Sequence, residues 1–185
     1  MTSTENPLVA ELELIRHPEG GYFKETDRRM DEVPSPFADG AARSLATSIY
    51  YLLDHESPSG VVHMNKSVTY HVLHQGRAEY TLITPGSPPK IEKQVIGSGP
   101  GETRMLFVGS GVWKMSRLLP EDIAAAKTPE EKRALGCLIT EVVTPGFYWE
   151  DHQFLTGPGL DALLKDATPE DRKTLEALRP HVKKA

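Results

Sequence analysis

The longest run of alternating polar and apolar positions covers residues 60–83, GVVHMNKSVTYHVLHQGRAEYTLI. Small polar or basic residues alternate there with Val, Leu, Ile and Tyr, the pattern breaks at Gln75-Gly76, and alternation resumes. A period near two on either side of a glycine predicts a half-buried β-hairpin. Shorter strand signals lie at residues 22–26, 45–53, 91–96, 104–108, 112–118 and 138–143. Punctuation such as Pro85-Gly86-Ser87-Pro88-Pro89 and Thr144-Pro145-Gly146 separates them. Short strands at this spacing, with no helix alternating between them, predict an all-β sandwich or barrel.

Helical periods are confined to the ends and one insertion. Asn6-Pro7 has the form of a cap followed by a first-turn proline, and Leu8, Leu12 and Ile15 recur at helical spacing. That pattern predicts a short helix stopped by Pro18. Residues 1–5 are expected to be loose, and residues 30–43, with two prolines and no period, to form a loop. Thr128-Pro129-Glu130-Glu131 is a capping box that opens an inserted helix, with Gly136 as its stop. The tail from Leu160 onward is helical, capped a second time at Thr168-Pro169-Glu170-Asp171, and the basic end at His181–Lys184 reads as a solvated terminus.

Composition narrows the classes. A chain of 185 residues is long enough for one domain with a sizeable core. Its net charge of −5 argues against a nucleic-acid binder, whose phosphate contacts need a clustered basic surface. Cys137 is the single cysteine, so neither an intrachain disulfide nor a thiolate metal cage can form. No apolar run reaches the roughly 18–20 residues of a membrane span, and the N-terminus lacks signal-peptide features, so a cytoplasmic setting is expected.

Five blocks then carry a resemblance: HPEGGYFKET (17–26), SIYYLL (48–53), GVVHMNKSVTYHVLHQGRAEY (60–80), FVGSGVWKMSRLL (107–119) and ITEVVTPGFYWEDHQF (139–154). In this order they resemble the cupin-5 family, formerly a domain of unknown function (DUF985-type) within the RmlC-like jelly-roll cupins. The resemblance implies a double-stranded β-helix sandwich and a homodimer. It divides the chain into an N-terminal segment 1–11, a cupin domain 12–156 and a helical tail 157–185.

Many cupins hold a metal through two histidines and a carboxylate of one motif and a histidine of a second. Carried onto this chain, those positions fall on His63, Asn65, the Val68-Thr69 pair and Lys114. Only His63 is a ligand, and an amine repels a divalent cation, so neither a metal nor another cofactor is expected. Three functions remain. The first is a metal-independent epimerase or isomerase acting on a carbonyl-containing, sugar- or nucleotide-like metabolite; the others are a non-catalytic ligand-binding cupin and a metal-dependent cupin with unusual ligands. In the resembling sugar epimerases a histidine on the equivalent strand removes a proton next to a carbonyl. His63 is that candidate base, Glu141 its partner, and Tyr50 or Tyr22 the acid. Lys114 or His71 would hold the developing enolate charge, and Asn65 and Glu25 complete the candidate ligand-binding set. His71 and His74, three apart on a strand, should point to opposite faces. Glu150-Asp151-His152 cannot converge on one substrate for the same reason, and Asp151 is expected to hold the final turn. Phe147-Tyr148-Trp149 is read as a hydrophobic plug or dimer contact.

Overall fold

The computed structural model describes residues 4–184. Two antiparallel sheets face each other. In spatial order, β1 (Ile15–Arg16), β2 (Tyr22–Arg28), β5 (Thr47–Asp54), β12 (Gly136–Thr144), β7 (Val68–Gln75) and β10 (Met105–Val108) form the first. The second runs β13 (His152–Phe154), β6 (His63–Asn65), β11 (Trp113–Arg117), β8 (Ala78–Thr84), β9 (Lys90–Ile96). From β5 onward the chain passes back and forth between the two, which is the winding of a cupin jelly roll. Residues 30–43, expected to be a loop, hold β3 (Glu32–Pro34) and the start of β4 (Ala42–Ser44), which pair as a separate small sheet.

The predicted hairpin at Gln75-Gly76 is not one. β7 pairs with β12 and β10, whereas β8 pairs with β11 and β9, so the turn carries the chain across the sandwich from one sheet to the other. Alternation reports which face of a strand is buried and is silent about its partner. Both strands do bury one face toward the interior, where Tyr51, Leu53, Tyr80, Leu82, Leu106 and Ile139 form an apolar cluster.

Helices cover the outer faces. The N-terminal helix α1 (Leu8–Glu11) is shorter than predicted, because Glu13 takes a positive φ of 55° and turns the chain into β1. Ile15 therefore lies exposed on a strand instead of extending the helical stripe. Leu8, Val9 and Leu12 still pack on Tyr22, Leu52 and Leu138 outside the first sheet. Of the end expected to be loose, residues 1–3 lie outside the described residues; Thr4 donates to Glu56 at 2.8 Å. Between β11 and β12 lie α2 (Pro120–Ala125) and α3 (Pro129–Ala134). The latter has the predicted capping box: Glu131 N donates to Thr128 Oγ1 at 3.1 Å and Thr128 N to Glu131 Oε2 at 2.9 Å.

The tail, α4 (Gly157–Asp166) and α5 (Pro169–Ala177), lies on the outside of the second sheet. Leu160 and Leu175 are fully buried there against a cluster that includes Val62, Ile83 and Met115. Each such side chain contributes about 1.5–3 kcal/mol by leaving water. The basic end is docked at its backbone: Val62 N donates to His181 O and Lys183 N to Leu155 O, both at 2.8 Å. Among the described residues no helix is long and apolar enough to cross a membrane.

Candidate functional site

The interior changes character along the strands. On β12, Cys137 and Ile139 point into the apolar cluster, and two residues further Glu141 points into a polar region. Beside it the sandwich opens through a pocket of about 660 Å³, counting the space open to solvent at its mouth. Phe23, Ile49, Val143, Phe147 and Trp149 form its apolar wall. A bulge near Thr26 brings Arg28 onto the pocket face with Glu25, and the two pair at 2.7 Å. Glu19 and Glu141 also line a narrow inner chamber, about 210 Å³ on the same count and with free room for about one water, completed by Tyr51, His63, His71, Tyr80, Lys114 and Ser116.

Two buried sets of polar groups meet at that chamber. Cross-strand pairing places the first: Glu141 lies opposite His71 in the β12–β7 ladder, and Lys114 reaches them from the facing sheet. Lys114 Nζ donates to Glu141 Oε1 at 2.6 Å and meets His71 Nε2 at 3.0 Å, and His71 Nε2 lies 3.1 Å from Glu141 Oε2. Burial works against the charge of Glu141, but Lys114 and His71 outweigh it and hold its carboxyl well below the ordinary range. Burial, with Lys114 beside it, pushes the His71 imidazole down.

The second set gathers on Glu19. This residue sits in the turn His17-Pro18-Glu19-Gly20-Gly21, tied to the body by Val61 N donating to Glu19 O at 2.6 Å. Gly20 has a φ of +92°, and a Cβ there would lie 2.6 Å from the Ser59 carbonyl oxygen, so only glycine lets the turn dock this closely. The carboxylate accepts from His152 Nε2 at 2.7 Å, with His63 Nε2 3.1 Å from its other oxygen. Burial opposes its charge, yet His63, His152 and His17 together lower its pKa to about 2. The His63 and His152 rings stack at 5.4 Å.

The tautomer of His63 follows from its other nitrogen. Nδ1 lies 2.8 Å from the Val61 carbonyl, which can only accept, so Nδ1 carries the proton and Nε2 presents a lone pair. Burial is the largest cause lowering the pKa of this imidazole to about 4, with Glu19 pulling the other way. No hydrogen bond reaches Nε2, nor the buried Asn65 Oδ1 and Thr69 Oγ1. Glu19, His63 and His152 are a donor set that could hold a divalent cation: the three ligand atoms lie within 4.8 Å of one another.

Of the residues singled out from sequence, His63, His71, Lys114 and Glu141 line the chamber and Asn65 and Glu25 the outer pocket. Tyr50 and Tyr22 are elsewhere. Both lie on the outer face of the first sheet beneath the N-terminal segment, Tyr50 against His74 and Tyr22 with its hydroxyl 3.3 Å from Glu5. Their side chains alternate away from the interior, and Tyr51 lines the chamber in their place. His71 is buried and His74 exposed, as the odd spacing requires. Asp151 turns away from the pocket into a two-bond pair with Arg43, at 2.7 and 3.2 Å, that anchors the final turn. Trp149–Asp151 is a short 3-10 helix and not the extended run expected from sequence, and His152 opens β13 with its ring against Glu19. Glu19 and Tyr51 were not singled out from sequence, and His152 was set aside there with its two acidic neighbours. Phe147 and Trp149, read there as a plug or dimer contact, stand in the pocket wall.

The winding and the buried cavity at one end define a cupin. Residues 6–155 match the family model described as Cupin superfamily (DUF985), and the chain belongs to that cupin-5 family. The uncharacterized protein YML079W of Saccharomyces cerevisiae is 40% identical over 163 residues, covering 84% of this chain and 77% of that protein. A hypothetical protein from Leishmania major has a similar structure, with a TM-score of 0.74 and 25% identity over 92% of this chain and 95% of that one. Protein SO0799 from Shewanella oneidensis superposes with a TM-score of 0.68 at 21% identity, covering 94% and 97%, a likeness of fold.

Proposed function

We propose that this cupin binds a small carbonyl-containing metabolite and moves a proton at the carbon next to the carbonyl, the chemistry of an isomerase or epimerase that needs no metal. One observation carries the reading: the lone pair of His63 Nε2 and the ammonium of Lys114 line the same small chamber, on residues directly opposite each other in the β11–β6 ladder. A base and a cation side by side are what enolisation requires. His63 takes the proton, Glu19 steadies the imidazolium that forms, and Lys114, with the Tyr51 hydroxyl, donates to the developing oxyanion. Burial raises the Tyr51 phenol above its ordinary pKa, so it keeps its proton to donate. The apolar outer wall suits the remainder of the ligand, with Phe147 and Trp149 flanking a sugar or base ring.

The test is solvent exchange. Chelator-treated protein in D₂O is offered a panel of keto sugars, free and nucleotide-linked, and deuterium next to the carbonyl is followed by mass spectrometry. The expected result is exchange with at least one member, slowed about 10²–10⁴-fold by His63→Ala, the usual contribution of a positioned base. Binding without exchange, or exchange indifferent to His63→Ala, would leave a ligand-binding cupin and no isomerase.

We also propose that the chain pairs with a second copy. Met105 and Phe107 are half exposed on the edge strand β10, beside Val72 and Tyr70 of β7. An uncovered apolar strand edge favours association. Light scattering at micromolar concentration should give a dimer, and Phe107→Lys should shift it toward monomer.

A further inference from the structure

We propose that Glu19, His63 and His152 form a binding site for one divalent transition cation. The site shares only His63 with the ligand positions carried over from the metal-binding cupins, and it goes beyond the proton-transfer reading. Three features of the cluster point the same way. First, the spacing fits: Glu19 oxygens lie 2.7 Å from His152 Nε2 and 3.1 Å from His63 Nε2. Ligands about 2.0–2.2 Å from a common ion stand roughly 3 Å apart, so small shifts suffice to enclose one. Second, the His63 lone pair faces a carboxylate oxygen at that distance with no hydrogen bond between them. The His63 nitrogen is buried without a hydrogen bond, and a cation between it and the carboxylate would be bonded by both. Third, the outer contact is that of a ligating histidine. Nδ1–H of His63 donates to the Val61 carbonyl, which fixes the tautomer and aims Nε2 at the site.

The donor set selects the ion. Two imidazoles and one carboxylate suit zinc, cobalt, nickel or ferrous iron, whereas calcium and magnesium ask for a shell of oxygens. Glu19 lines both the outer pocket and the chamber, so the ion's remaining positions open toward a ligand. A cation and the proposed base compete for one atom. Once Nε2 is coordinated it takes no proton, so loading the site switches off exchange that depends on His63.

The probe is cobalt, whose visible absorption reports its ligands. Full-length protein is stripped with chelator, shown to be folded by circular dichroism, and titrated with Co²⁺. One equivalent should bind with nitrogen- and oxygen-type visible bands, and Zn²⁺ should displace it. Glu19→Gln and His152→Gln should each weaken binding at least about tenfold, while His74→Gln on the outer face should leave it unchanged. A folded, stripped protein that takes up no stoichiometric Co²⁺ overturns the proposal, as does uptake that Glu19→Gln does not alter. Should both variants fail to fold, nuclear magnetic resonance of the native chain decides. Paramagnetic broadening of the His63 and His152 ring signals supports the site, and broadening confined to His55 or His181 refutes it. Exchange by stripped protein is measured separately, so its absence would defeat the isomerase reading and leave the cation site standing.

Discussion

Lys114→Met is expected to unfold far below the native chain at neutral pH. The substitution keeps the length of the side chain and removes its charge, leaving the buried Glu141 without its lysine partner and with His71 alone beside it. Breaking a buried ion pair from one side costs about 3–5 kcal/mol, because the surviving charge stays desolvated without a partner. For a chain of this size that corresponds to a loss of roughly 10 °C in the unfolding midpoint. A Lys114 side chain extended into solvent would predict almost no change, so thermal unfolding separates the alternatives.

Acid adds a second handle. In the native chain the Glu141 carboxyl is held well below its ordinary value. Its contribution to stability is therefore present above the unfolded pKa and is lost as pH falls through the lower folded value. In Lys114→Met only His71 is left to oppose burial, so the folded pKa lies higher than in the native chain. The variant then gains relative stability on protonation. The gap between the two midpoints should narrow from pH 7 toward about pH 4, the ordinary glutamate range. Lys114→Met/Glu141→Gln should recover much of the loss at pH 7. A gap constant with pH, with no recovery in the double variant, would mean that the damage comes from packing alone.

The fold was legible because strand alternation and turn chemistry recur through the chain; the site was legible only where a residue lay on such a strand. His63, His71, Lys114 and Glu141 each stand in a run whose period marks a buried face. Tyr50 and Tyr51 show the limit. SIYYLL is covered on both sides, by the sandwich interior and by the N-terminal segment, so its alternation disappears and nothing in the run says which tyrosine points inward. Glu19 lies in a turn, where no period exists, and its burial depends on the long-range docking of that turn at Ser59 and Val61. His152 stood out in the sequence beside two acidic residues, but Trp149–Asp151 folds as a short 3-10 helix and not as the extended run expected, so alternation could not give its direction. The partner of a strand is the least visible quantity of all, which is why β7 and β8 read as a hairpin although they belong to different sheets.

That same crossing point gives the second large effect. Gly76→Ala should abolish the native fold or destabilise it by more than about 4 kcal/mol, the range reserved for severe single substitutions. Gly76 has a φ of +76°, and a Cβ built there would stand 1.8 Å from the carbonyl oxygen of Gly136 and 3.0 Å from the Cα of Cys137. Both are backbone atoms at the start of β12, so no side-chain rotation relieves the overlap. β12 would have to move, and with it Glu141, which stands opposite His71 only while this ladder keeps its register. Gly101→Ala supplies the control. Its φ of +78° is nearly the same, but nothing lies within 4 Å of the added carbon. It should lose only the cost of a left-handed backbone for an L-residue, about 1–2 kcal/mol. Denaturant unfolding of the two variants compares identical chemistry at matched backbone angles. Equal losses would show that the close approach of the two chain segments plays no part in joining the sheets, whereas a Gly76 variant that loses far more stability, and with it binding in the chamber, ties the corner of the sandwich to the geometry of its site.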